Sequence, residues 1–148
     1  MRSPRRLSLG ASLALAMASG LLLAGSAMAG GRPISVDLTG AAEAPGPGDP
    51  DGSGTASFTF NAGTGEVCFE YSVTGVAPLT AAHIHVAPAG SPGSVVIPML
   101  PSSPTGGSGC VTADRSLIVA ILMDPSAYYF NVHNSEFQPG ALRGQLTR

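Results

Sequence analysis

From Ile34 onward the chain sets apolar side chains at every second position in short runs: Ile34, Val36 and Leu38, then Ala56, Phe58 and Phe60, then Val67, Phe69, Tyr71 and Val73. A period of two marks a strand with one buried and one wet face, because successive side chains point to opposite sides. Leu79 to Val86, Ser94 to Leu100, Tyr128 to His133 and Ala141 to Thr147 also read as strands. Between them Gly and Pro recur so often, 20 and 13 times in 148 residues, that long helices are excluded almost everywhere. Asn61-Ala62-Gly63-Thr64-Gly65 supplies residues that accept positive φ and predicts the turn of a hairpin between Phe60 and Glu66. Gly40 to Gly54 and Pro101 to Gly109 read as loops.

One segment departs from period two. Leu117, Ile118, Ile121 and Leu122 recur at helical spacing between Asp114, a good N-cap, and Pro125, a stop. A short helix through Met123 is predicted, with a buried strand as the competing reading. Seven or so short strands, long loops and one helix give a mainly β fold, an antiparallel Greek-key β-sandwich or a partly open barrel.

The first 29 residues do not belong to that domain. Arg2, Arg5 and Arg6 precede an uncharged run rich in Leu and Ala from Leu7 to Leu23, and Ala27-Met28-Ala29 fits a signal-peptidase site. Residues 1–29 are read as a cleaved signal peptide and residues 30–148 as one exported domain. An uncleaved anchor is the alternative, but the run is at the short limit for about 30 Å of hydrocarbon. Arg5-Arg6 hints at the twin-arginine route, yet Ser8 stands where that signal usually has a bulky apolar residue, so the ordinary secretory route is expected. Cleavage leaves four arginines against nine acidic residues, a formal charge of −5. That balance argues against nucleic acid or anionic lipid as a partner, and no later apolar run is long enough for stable membrane insertion. In an oxidising compartment the two cysteines, Cys68 and Cys110, are expected to pair. Each falls on the polar side of its strand, which places the bond outside the core, between neighbouring strands of one sheet.

Candidate chemistry gathers on the three histidines. His83 and His85, two apart in a strand, leave the same face, while Ile84 and Val86 enter the other. His133 shares a face with Asn131 and Tyr129, opposite Val132 and Phe130, and joins the pair if the strands are neighbours. Three neutral imidazoles suit zinc or copper in an open site, with Glu136 or Asp114 as a further oxygen ligand. The competing reading has the histidines donating hydrogen bonds to carbonyls or carboxylates and tying loops together. Arg143, in a strand between Leu142 and Gly144, is expected to form a buried ion pair with Glu43 or Glu70, the alternative being an acidic ligand group. Asp49-Pro50-Asp51-Gly52-Ser53-Gly54 lacks the closing bidentate Glu of a calcium loop and reads as a solvated turn. No nucleophile elbow, P-loop or dinucleotide fingerprint occurs.

Four segments in order, Glu43-Ala44-Pro45, His83-Ile84-His85, Asn131-Val132-His133 and Gly140-Ala141-Leu142-Arg143-Gly144-Gln145-Leu146, resemble the CHRD domain over nearly all of the exported part. That module, first defined in the developmental inhibitor chordin, also occurs in bacterial exported proteins. Where the family often has Gly soon after the second histidine, this chain has Val86-Ala87-Pro88-Ala89-Gly90. The family has no established reaction, so the resemblance implies a non-catalytic binding or structural module with an extracytoplasmic protein or glycan as partner, and no cofactor. The His-x-His strand is distantly similar to the copper/zinc superoxide dismutase sandwich. By that analogy the alternative is a protein that binds copper or zinc through His83, His85 and His133, with superoxide-directed activity as its extension. A hydrolase is a third, weaker reading.

Overall fold

The computed structural model describes residues 32–148; the signal peptide expected over residues 1–29 lies outside them. The expected hairpin is formed by β2 (Ser53–Asn61) and β3 (Glu66–Thr74). At its turn Asn61 Oδ1 accepts the N–H groups of Gly63 and Thr64, and Gly65 takes φ 75°. β1 (Arg32–Thr39) pairs with β2. β4 (Leu79–Val86), β5 (Ser94–Met99), β6 (Gly106–Thr112), β7 (Tyr128–Asn134) and β8 (Leu142–Gln145) complete one antiparallel sheet in the order β5-β4-β7-β8-β1-β2-β3-β6. The neighbours β4–β7, β8–β1 and β3–β6 are not consecutive in sequence, so the connections cross in Greek-key fashion. Near the edges the sheet curls back on itself. Leu79 N–H, at the start of β4, donates to Pro104 O just before β6, which gives the partly open barrel of the two expected architectures.

The interior follows the alternation. Ile34, Val36, Leu38, Phe58, Phe60, Val67 and Tyr71 are all at most 3 % exposed, and Phe130 from β7 meets Phe58 and Tyr71 with ring centroids 5.1 Å apart in both cases. Removing each such side chain from water stabilises the fold by roughly 1.5–3 kcal/mol, which a sheet of short strands needs. The predicted helix, α1 (Arg115–Met123), starts where Asp114 accepts the N–H groups of Ser116 and Leu117, and it buries Ile118 and Ile121.

Three readings of the sequence change. β6 starts at Gly106, inside the expected Pro101–Gly109 loop: Gly106, Gly107, Ser108 and Gly109 carry no apolar alternation, yet their backbone pairs with Ser72, Tyr71, Glu70 and Phe69. Val86, the last residue of β4, is 40 % exposed and does not enter the core as expected. Asp49 is buried and not solvated, and its carboxylate accepts Asp51 N–H. Cys68 and Cys110 are bonded and face each other in the β3–β6 register, on the polar side of the two strands.

β7 is the exception to alternation, with only His133 more than marginally exposed. Its inner face, Phe130 and Val132, fills the core, and its outer face lies beneath loops. Those loops cover the site described next.

Candidate metal centre

Strand pairing lays polar side chains in rows across the outer face of the barrel. His83 on β4 stands opposite Asn131 on β7, which stands opposite Arg143 on β8. One row along, His85 stands opposite Tyr129 and Tyr129 opposite Gln145. Ala81 pairs with His133 and brings the third imidazole beside the other two. The convergence that the sequence left conditional on strand order therefore exists. One nitrogen from each of His83, His85 and His133 lies within 4.8 Å of the others, and His83 Nδ1 is 3.1 Å from His133 Nε2.

Backbone carbonyls fix which nitrogen of each ring is free. His85 Nδ1 is 2.9 Å from Gly93 O and His133 Nδ1 is 2.8 Å from Gln138 O. A carbonyl only accepts, so both Nδ1 atoms carry hydrogen and both Nε2 atoms of the neutral rings present a lone pair. His85 Nε2 is buried and has no hydrogen-bond partner. Both sequence readings of the histidines thus hold for different atoms, since one nitrogen ties down a loop and the other faces its neighbours. Burial, and then the neighbouring His133 and His85, push His83 down to about 4; burial and His85 also lower His133, against the Gln138 hydrogen bond.

The loop between β4 and β5 is pinned over this face by side chains from β7 and β8. Arg143 donates to Ser91 O and Pro88 O, each at 2.9 Å, and Gln145 Nε2 donates to Ala87 O at 2.8 Å. Tyr129 Oη accepts Gly93 N–H, and the Tyr129 ring stacks on His85 at 4.7 Å with an interplanar angle of 8°. Gly93 has no room for a side chain: a Cβ there would sit 2.0 Å from Val86 O.

The expected ion pair of Arg143 is replaced by these carbonyls. Glu70 is exposed on β3, far along the sheet order from β8, and Glu43 affects Arg143 only through its charge. Glu43 lies in the β1–β2 loop. Burial pushes its carboxyl up to about 7, against a hydrogen-bonding contact with the Asn131 side chain, the Arg143 charge and the Ala44 backbone. Its Oε1 is buried without a partner, and a Cβ on Gly140 would fall 2.3 Å from the carboxyl. Neither oxygen ligand named from the sequence takes part: Asp114 caps α1 and Glu136 is exposed. Asn131, Tyr129 and Gln145 were legible only as strand residues on the outer face, and Asn131 is the one whose oxygen reaches the cluster, 3.1 Å from His133 Nε2.

Glu43, the His-x-His pair, Asn131 with His133, and Gly140 with Arg143 and Gln145 come from four distant segments and meet here. The family model for the CHRD domain matches residues 34–146. This chain belongs to the CHRD family. No curated protein and no solved structure is significantly similar to it. In this CHRD domain the four segments that carry the family resemblance build one feature, the loop-covered outer face of β4, β7 and β8.

Proposed function

We propose that this CHRD domain is an exported binding module whose ligand is a transition-metal ion, zinc or copper, held by His83, His85 and His133. The observation that carries the reading is the buried, unpartnered Nε2 of His85, beside a pair in which His83 Nδ1 and His133 Nε2 lie 3.1 Å apart. Leaving such an atom dry and unpaired costs about 1–3 kcal/mol, a cost that a bound ion removes. Histidine ligands normally give their other ring N–H to a carbonyl or carboxylate, the arrangement that Gly93 and Gln138 provide. An ion with bonds of about 2.0–2.1 Å spaces tetrahedral ligands by about 3.3 Å. The His83–His133 edge, 3.1 Å, is close to that length, and the His85 nitrogen lies within 4.8 Å of the other two.

The disulfide, the apolar leader and the absence of a long apolar helix among the described residues are compatible with work outside the cytoplasm. An extracytoplasmic protein or glycan is the proposed macromolecular partner. The test is metal analysis of protein purified from its native compartment, followed by zinc and copper titration. One equivalent bound, and lost in a folded His83→Ala/His85→Ala variant, supports the reading. Metal content unchanged by that double substitution overturns it.

A further inference from the structure

We infer that Asn131 Oδ1 is the fourth ligand of this centre, so that the coordination sphere is closed by protein. The inference rests on the three-histidine reading and deepens it. Asn131 is 1 % exposed, stands directly across the β4–β7 pairing from His83, and places Oδ1 3.1 Å from His133 Nε2. These two atoms face each other with lone pairs, since His133 Nδ1 already carries the ring hydrogen that goes to Gln138 O. The amide turns its oxygen, and not its nitrogen, to the imidazole. Two acceptor atoms brought to 3.1 Å in a buried place suit a shared cation, and His83 Nδ1 lies 3.1 Å from the same His133 Nε2.

Three imidazoles and an amide oxygen make a borderline-hard donor set, which fits Zn(II) or Cu(II) and disfavours Cu(I), an ion that prefers thiolate and thioether. Four protein ligands leave no position for a reacting molecule. Closed sites of this kind are structural, whereas catalytic sites keep one position open. The CHRD centre then holds its metal as a fixture of the surface and not as a reagent, which sets aside the superoxide-directed activity suggested by the His-x-His strand.

The experiment uses purified protein loaded with Co(II) for visible absorption and with Cu(II) for water-proton relaxation. The expected wild-type result is an intense four-coordinate cobalt spectrum and little relaxation enhancement from exchangeable water. Asn131→Ala should keep one equivalent of metal, bind it about 10- to 100-fold more weakly, and admit a water that raises the relaxation rate. Asn131→Asp, which keeps an oxygen in place, should retain the four-coordinate spectrum even where the alanine variant folds poorly. A wild-type site that already holds exchangeable water, or a spectrum indifferent to both Asn131 substitutions, overturns the fourth ligand while the three-histidine site stands. Failure of the wild type to take up any metal overturns both.

Discussion

Arg143 lays its guanidinium over the ring of Tyr129, with Cζ 3.4 Å from the ring centroid, and the same ring stacks on His85. A buried cation, an aromatic ring and an imidazole therefore form one column, and the two carbonyls that Arg143 grips belong to the loop that orients His85. Arg143→Lys keeps the charge but loses the planar fork and the flat stack. The expected loss is about 2–3 kcal/mol in chemical denaturation, with weaker metal binding at His85. A lysine variant as stable as wild type would show that the column has no energetic role.

Gly140→Ala would place a Cβ 2.3 Å from the Glu43 carboxyl and force that side chain off Asn131. Overpacking of this kind costs about 1–3 kcal/mol. Metal affinity should fall with it, whereas Gly46→Ala, in the β1–β2 loop that holds Glu43, strains a backbone at φ 80° but meets no neighbouring atom, so it should lower stability and leave the affinity of the folded protein unchanged. Titration calorimetry of the two variants checks the contrast.

Two shifted groups give the metal-free protein opposing pH dependences. Glu43 is raised from 4.5 to about 7, so its contribution is full below about pH 4.5 and is lost as pH rises through about 7. His83 is lowered from 6.5 to about 4, so its contribution is present above about pH 6.5 and is lost as pH falls toward 4. Between those limits the two slopes oppose each other, with the lowered His133 adding to the His83 side, so wild-type stability should vary less steeply than that of Glu43→Gln. Glu43→Gln should uncover a rise of about 1–2 kcal/mol from pH 4.5 to 6.5, and His83→Gln a fall of similar size, after allowance for solvent screening. Denaturation midpoints across that range in the presence of chelator are the measurement. Parallel slopes in the two variants would refute the assignment.

Reducing the Cys68–Cys110 bond, or replacing both residues with Ala, releases a loop of 42 residues in sequence separation. Chain entropy puts the loss near about 4 kcal/mol. The bond lies at the β3–β6 edge and the histidines on β4 and β7, so affinity for metal in the folded fraction should not change. Guanidinium unfolding with and without reductant separates the two effects.

How much of this was legible in the sequence follows from which contacts are local. His83 and His85 sharing a face, Asp114 capping a helix, and Phe58 and Phe60 pointing inward are consequences of period and spacing, so they were readable. The place of His133 depended on β7 lying beside β4, a pairing between strands more than forty residues apart that no local signal encodes. Arg143 misled for a related reason. Its partners are carbonyl oxygens, which every residue has, so the sequence offered only the carboxylates as visible candidates. Gly106 to Gly109 hid the start of β6 because a strand without side chains has no alternation to show. Asn131 was visible on the correct face, but its partner Glu43 sits in an irregular loop whose course follows no period.

The sheet has two free edges, β5 and β6, and the cysteine bond ties β6 to β3 across the pairing. Open edges are where strands are traded between molecules or recruited into aggregates. β6 cannot be handed to a second copy without breaking a covalent bond, and β5 carries Pro98, which has no N–H to offer an incoming strand. One edge is stitched and the other blunted, which narrows the routes by which two copies of the domain could exchange or add strands.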